Sequence, residues 1–406
     1  MLRALTLLLS HRCNLSCSYC YQRERSRPAR MPWSTARAAI DLLLSGTSTR
    51  LAVELSGGEP ALEPALLRRC VSYLGSAAPP GTTVNCSLTT NGTVVDDDLL
   101  AFLADHDVRL DLSFDGVPAA QDLRGAGTSP TLERLLERAR RKHPEYFARR
   151  VVVRVVVHPV TLPYLAASVR HLMDRLVPHV GLSPAIGSGS GWGPECDTIL
   201  RDQVSEIVAD SLRHLDATGT VPVAFLGGGA VAPPARVAPP RCPAVSGTCV
   251  CVDASGRAWG CPLFASSLRR LPPLAASAAA IVAFGSIHDR AIASRLAALP
   301  GRASDHPLFS GRARRCGSRR CADCELSADC LICPAALCEQ PPGADLRDVP
   351  GFHCAFSRVT LDARRRFREQ RARAGPQRCP ADLADALRAV ATALRSADPG
   401  PPAPQA

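Results

Sequence analysis

Aromatic residues make up only 4% of the chain, lysine is almost absent, and no apolar run reaches the length of a bilayer span. Each scarcity closes off a class of function. Few aromatics leave no stacking platform for single-stranded nucleic acid. The run Val151–Val157 is too short to cross a membrane and contains Arg154. The opening MLRALTLLLSHRC has a short apolar stretch and no small-residue cleavage site before Cys13, which argues against secretion. A soluble, cytoplasmic chain with no membrane partner is the expectation. The 48 Lys plus Arg exceed the 37 Asp plus Glu, for a formal net charge of +11. No RNA-binding motif accompanies that excess, so it reads as an Arg-rich, Ala-rich and Pro-rich bias and argues against a nucleic-acid partner.

What is plentiful is cysteine, with 18 residues. In a reducing compartment clustered cysteines usually bind metal. The 406 residues, 46% of them hydrophobic, fit two domains or one large barrel with an appendage. Apolar runs at Leu2–Leu9, Leu51–Leu55, Thr83–Leu88, Val108–Phe114, Val151–Val157 and Val180–Ser183 predict strands. Helical patterns near Ser34–Leu44, Ala61–Leu74, Asp96–Ala104, Thr131–Arg141 and Leu165–Leu176 lie between them, with Ser34 and Asp96 marking starts. Six such alternations predict βα units and a parallel sheet covered on both faces. A further helix is expected over Thr198–Asp216. The Gly- and Pro-rich stretch Leu226–Arg241 reads as a linker. Cys242–Cys354 holds eleven of the cysteines and little regular pattern, so metal or disulfides must hold it together. An Arg-rich helical run at Arg364–Arg373, an apolar stripe of Leu383, Leu387, Val390 and Leu394, and a disordered PGPPAPQA tail follow. The expected organisation is a core over 1–220, a linker over 221–241, a cysteine-rich domain over 242–356, C-terminal helices over 357–396 and a tail over 397–406.

Cys13, Cys17 and Cys20 stand in HRCNLSCSYC, a C-x3-C-x2-C spacing just after the first strand. Three thiolates on one loop can bind three irons of a [4Fe–4S] cluster and leave the fourth open, as catalysis at a metal requires. Structural zinc would want four ligands, and His11 is the alternative fourth donor. Further motifs follow at strand ends: Leu55-Ser56-Gly57-Gly58-Glu59-Pro60, Thr89-Thr90-Asn91-Gly92 and Ser113-Phe114-Asp115-Gly116. Carboxyl ends of strands are where barrels and open α/β sheets place their sites.

With Tyr19 before the last cysteine, these motifs in register resemble the radical S-adenosylmethionine (SAM) superfamily. The resemblance implies an α/β fold, a partial (β/α)6 TIM-like barrel. It also implies an enzyme that cleaves SAM reductively to a 5′-deoxyadenosyl radical, and an electron donor such as flavodoxin or ferredoxin. SAM would bind the open iron. Gly57 and Gly58 would admit the methionine moiety closely, with Glu59 near its amine. Asn91, Ser113 and Asp115 would lie near the ribose or substrate, and Tyr19 by the adenine. Arg154 would pair the SAM carboxylate or, alternatively, an acid at the barrel bottom.

The second cysteine set runs Cys242, Cys249, Cys261, then Cys321-x2-Cys324-x5-Cys330-x2-Cys333, then Cys354, with a hairpin turn predicted at Gly256 before Cys261. This resembles the SPASM domain, a small cysteine-rich iron–sulfur domain found at the C-terminus of peptide-modifying radical SAM enzymes. The last spacing is x2 where the family has x3, so Cys338 is an alternative to Cys333, and Cys251 competes with Cys249. The resemblance implies two auxiliary [4Fe–4S] clusters, one on Cys242, Cys249, Cys261 and Cys333 and one on Cys321, Cys324, Cys330 and Cys354. A pair of zinc sites remains the alternative. Cys70 and Cys86 are expected to be packing residues, and Cys196, Cys316 and Cys379 are unassigned. Pro262 stands where sulfatase-maturing relatives carry an Asp, which argues against sulfatase maturation. The implied function is a maturase acting on a peptide or protein. The alternatives are small-molecule or cofactor biosynthesis and, outside catalysis, a zinc-binding interaction protein. No peptide-binding domain is expected ahead of the first strand.

Overall fold

The computed structural model describes residues 2–22, 29–186, 191–227, 242–269, 271, 273–304, 306, 308–309, 324–326, 330, 332–338, 349 and 351–373. The linker beyond 227, Cys316, Cys321, Cys379, the Leu383–Leu394 stripe and the C-terminal tail lie outside these residues.

Six strands follow one another as the apolar runs predict: β1 (Ala4–Ser10), β2 (Arg50–Gly57), β3 (Thr83–Thr90), β4 (Arg109–Ser113), β5 (Val151–Val157) and β6 (Val180–Pro184). All neighbouring pairs among them are parallel. Parallel neighbours need a crossover, supplied here by helices. These are α1 (Trp33–Leu44), α2 (Pro64–Ala77), α3 (Asp97–Asp105), α4 (Pro118–Gln121), α5 (Ser129–Lys142), α6 (Pro144–Arg150) and α7 (Leu165–Asp174). Asp96 caps α3, its carboxylate accepting from the Leu99 amide at 2.8 Å. The helix expected from Ala61 is divided. Pro60–Leu62 form a short 3-10 turn, and α2 starts only at Pro64 because Glu63 is held out of helical geometry before a proline.

One face of each strand packs on the helices. Leu5, Leu7, Leu9, Leu51, Val53, Leu55, Leu88, Leu110, Leu112, Val153 and Val155 bury there with Ile40, Leu67, Leu99 and Leu135. The other, inner face is not continuously apolar as the sequence suggests. Thr6, Glu54, Thr89, Arg109, Asp111 and Arg154 form hydrogen bonds and ion pairs along it. The period-2 alternation is therefore present but reads weakly, because short aliphatics flank each polar position.

The sheet does not end with the core. Its order is β6-β5-β4-β3-β2-β1-β7-β8-β9, with β7 (Cys249–Val252), β8 (Arg257–Trp259) and β9 (Ala283–Ser286). Strand β7 lies parallel against the free side of β1, and β8 and β9 continue antiparallel. The cysteine-rich segment thus extends the same sheet and shares its core. Helices α8 (Pro194–Thr218), α9 (Pro273–Val282), α10 (Ile292–Ser304), α11 (Pro334–Leu337) and α12 (Gly351–Arg373) are the remaining α-helices longer than three residues among the described residues. The division expected at 356/357 falls inside α12, which packs back on α8. Phe352, Ala355, Val359, Ala363 and Phe367 share one face of α12 and bury it as a single unit.

Candidate active site

The loop after β1 carries Cys13, Cys17 and Cys20, all half-buried. Backbone on both sides fixes it. The Gly58 amide donates to the Ser10 carbonyl and the Glu59 amide to the Arg12 carbonyl, both at 2.7 Å. A Cβ on Gly57, at φ +139°, would lie 2.5 Å from the Ser10 oxygen, and one on Gly58 would overlap the Arg12 carbonyl. Both glycines admit the cysteine loop's own backbone. Glu59 is fully buried, and its carboxylate accepts from the Ala61 amide, the Thr90 hydroxyl and the Asn91 amide at 2.6–2.9 Å. It braces two strand ends rather than pointing outward. Asn91 in turn donates to the Asn14 side-chain oxygen at 2.9 Å and lies 3.9 Å from the Cys13 sulfur.

A second brace comes from the end of β4. Asp115, 1% exposed, accepts from Arg124 through Nε at 3.0 Å and Nη2 at 2.9 Å, and from the Val156 amide and the Tyr19 hydroxyl. Both of its oxygens are thus bonded to protein partners. The Tyr19 ring points inward to this cluster, beneath Arg124 and beside His158. The Ser18 amide donates to the Leu123 carbonyl at 2.8 Å. Arg124 is the site residue that sequence reasoning missed. Its only signal is an arginine nine positions after Asp115, across a turn. Ser113 ends β4, half-buried. Arg154 pairs through Nε with Asp111 at 2.9 Å, so the structure supports the alternative acid partner over the SAM carboxylate.

Burial pushes the Cys17 thiol up to about 11. Arg124 pulls it down, and nearby Cys20 and Cys13 push it up. The Leu15 and Gln22 amides point at the Cys13 and Cys20 sulfurs, at 3.5 and 3.4 Å. Amide donors to cysteine sulfur are the surroundings in which protein-held iron–sulfur clusters sit.

Residues 7–172 match the model of the Radical SAM superfamily. This stretch, from β1 to the end of α7, is thus similar to a radical SAM domain. Over 134 residues it is 34% identical to a GTP 3′,8-cyclase of Parasynechococcus marenigrum, covering 31% of this chain and 37% of that protein. Over 115 residues it is 29% identical to a serine-type anaerobic sulfatase-maturating enzyme of Klebsiella aerogenes, covering 27% and 28%. The chain thus spans well under half the length of these curated relatives. In fold it resembles anSMEcpe solved with bound AdoMet and the Kp18Cys peptide, at a TM-score of 0.66 and 16% identity over 91% of this chain and 98% of that one. SuiB of Streptococcus suis bound to its precursor peptide SuiA is similar at 0.52, with 13% identity over 87% and 76%. Cys13, Cys17 and Cys20 all lie within the matched residues, and the loop offers three thiol donors.

The second cysteine set is assembled by a hairpin on the edge of the radical SAM sheet. Gly256, at φ +83°, turns β7 into β8. Asp253 holds the turn, accepting from Ser255, Arg257, Trp259 and Ser267. This places Cys249 near Cys261. Burial pushes the Cys261 thiol well up, and Cys333, Cys242 and Cys249 raise it further because all three are close. Cys333, not Cys338, stands beside Cys261; Cys338 is buried against the Pro334 carbonyl. Cys251, fully buried, packs with Leu8 and Trp259. Cys324, Cys330 and Cys354 are half-buried, while Cys321 lies outside the described residues. Cys70 and Cys86 are pushed up to about 12 by burial, as packing thiols should be. Among the described residues, no helix is long and apolar enough to cross a membrane.

Proposed function

We propose that the protein is a radical SAM maturase that abstracts hydrogen from a side chain or α-carbon of a peptide or protein. The observation that carries this reading is the pair of thiol sets on one sheet. One is a three-cysteine loop pinned at the end of β1. The other is the Cys242, Cys249, Cys261, Cys333 group built on the adjoining β7–β8 hairpin. Peptide-bound anSMEcpe and SuiB, which share the fold over most of the chain, support a peptide substrate.

Cys13, Cys17 and Cys20 would hold the catalytic cluster, which when bound supplies the electron that cleaves SAM. Gly57, Gly58, Glu59 and Asn91 keep the loop in place, and Ser113 lies at the mouth of the inner face. Cys242, Cys249, Cys261 and Cys333 would hold one auxiliary cluster. Cys324, Cys330 and Cys354, with Cys321, would hold the second. Four thiolates leave no open iron, which suits electron transfer, and a flavodoxin or ferredoxin would be the donor.

A substrate that loses an electron after hydrogen abstraction also loses a proton. Pro262 removes the acid that sulfatase-maturing relatives use. On the inner face Glu54 is suited to accept that proton. Among the described residues the hydroxyls of Thr6 and Thr89 bond its carboxylate, at 3.3 and 2.8 Å, and burial raises its affinity for a proton. Asp111, by contrast, is tied by Arg109 and Arg154.

The test is anaerobic incubation of reconstituted protein with SAM, a reductant and peptides encoded by neighbouring reading frames. A peptide mass change with matching 5′-deoxyadenosine is expected. Deoxyadenosine formation with no peptide altered contradicts the maturase reading. The identity to a GTP 3′,8-cyclase favours a second reading, small-molecule synthesis, and turnover of a nucleotide in the same assay would support it.

A further inference from the structure

We propose that Arg124 is a positioning residue for the catalytic loop: paired with Asp115, it fixes Tyr19 and balances the charge against which the loop's cluster is reduced. The inference rests on reading Cys13, Cys17 and Cys20 as cluster ligands. Its geometry is independent of any substrate. The Arg124 side chain is 9% exposed and bonds both Asp115 oxygens. Its Nη2 also donates to the Arg154 carbonyl at 3.2 Å, which ties β5 to the same point. Its guanidinium lies 5.4 Å from the Tyr19 ring centroid, and Tyr19 sits between Cys17 and Cys20 in the chain. Gln121 seats the other side, its side-chain oxygen accepting from the Asp115 amide at 2.9 Å.

A buried ion pair is nearly neutral as a unit, but either partner alone is an uncompensated charge in a poorly screened place. Removing Arg124 leaves Asp115 as a buried anion beside the loop. Adding an electron to a nearby cluster then becomes harder. Removing Asp115 leaves a buried cation and makes it easier. Removing both restores balance. His158, whose ring centroid lies 5.8 Å from that of Tyr19, is held toward its neutral form by burial and does not substitute for the lost cation. A residue that only filled space would move the loop without this sign reversal.

The experiment uses the full chain, anaerobically reconstituted, as wild type, Arg124→Gln, Asp115→Asn, the double variant and Arg124→Lys. Iron content is measured. The midpoint potential is then titrated on the electron-paramagnetic-resonance signal that disappears in Cys13→Ala protein. Arg124→Gln is expected at a more negative potential than wild type and Asp115→Asn at a more positive one. The double variant and Arg124→Lys should fall near wild type. Should Arg124→Gln not retain iron, the positive shift in Asp115→Asn carries the test. Loss of iron in both single variants and the double, or an unshifted potential in either single variant that keeps its iron, overturns the proposal. Wild-type protein that shows no Cys13-dependent signal would instead overturn the reading of the cysteine loop.

Discussion

At the scale of single residues, the motifs at the strand ends act mainly on the cysteine loop. Gly58 has no room for a Cβ against the Arg12 carbonyl, so Gly58→Ala should displace the loop at a cost of about 1–3 kcal/mol. Iron bound by the catalytic loop should fall while C-terminal iron stays, as measured by iron content with and without the Cys13→Ala change. Glu59→Gln replaces one of three acceptor contacts with a donor and should lower stability by about 1–3 kcal/mol, read by denaturant unfolding. Glu54 gives a pH signature. Its folded carboxyl holds its proton to higher pH than an unfolded one, whose ordinary value is about 4.3. Unfolded chain therefore loses that proton first, and stability falls as pH rises from there through the folded value. Glu54→Gln should abolish that part of the decline in thermal midpoint, and a parallel decline in both proteins would contradict it. These roles were only partly legible. A motif such as Gly57-Gly58-Glu59 announces close approach but not what approaches, and Arg124 has no local pattern because its partner is reached across a turn.

At the scale of elements, the six parallel strands were readable because each is a short apolar run lying between helical patterns. The polar inner face was not, since Glu54, Asp111 and Arg154 each look like single interruptions in aliphatic runs. The start of α2 was misplaced by three residues because Pro64, not the apolar pattern, decides where that helix begins. The hairpin at Gly256 was legible from its turn glycine, whereas its parallel docking on β1 was not, because strand partners are not written in spacing. That hairpin predicts a division of labour. Cys261→Ala should lower C-terminal iron yet leave 5′-deoxyadenosine formation measurable. Replacing Cys13, Cys17 and Cys20 together by Ala should reduce deoxyadenosine to background and spare the C-terminal iron. Equal loss of iron in both proteins would contradict two separate sites.

At the scale of the whole molecule, β7 covers the side of β1 opposite β2, so the radical SAM core and the cysteine-rich segment are parts of one sheet. A fragment ending at Gly227 would bare the edge of β1, directly beside the catalytic loop, and should aggregate or unfold relative to the full chain in sedimentation and circular dichroism. The docking also explains how two thiol sets come to share one sheet: Cys249 pairs with Ala4 at the start of β1, and the first set follows the strand's other end. The central claim, a loop holding iron by three sulfurs with one position left for SAM, is tested most directly by spin resonance. Reduced, reconstituted protein should give a [4Fe–4S] signal lost in Cys13→Ala, and adding SAM should change its shape. A spectrum that SAM leaves untouched contradicts the account.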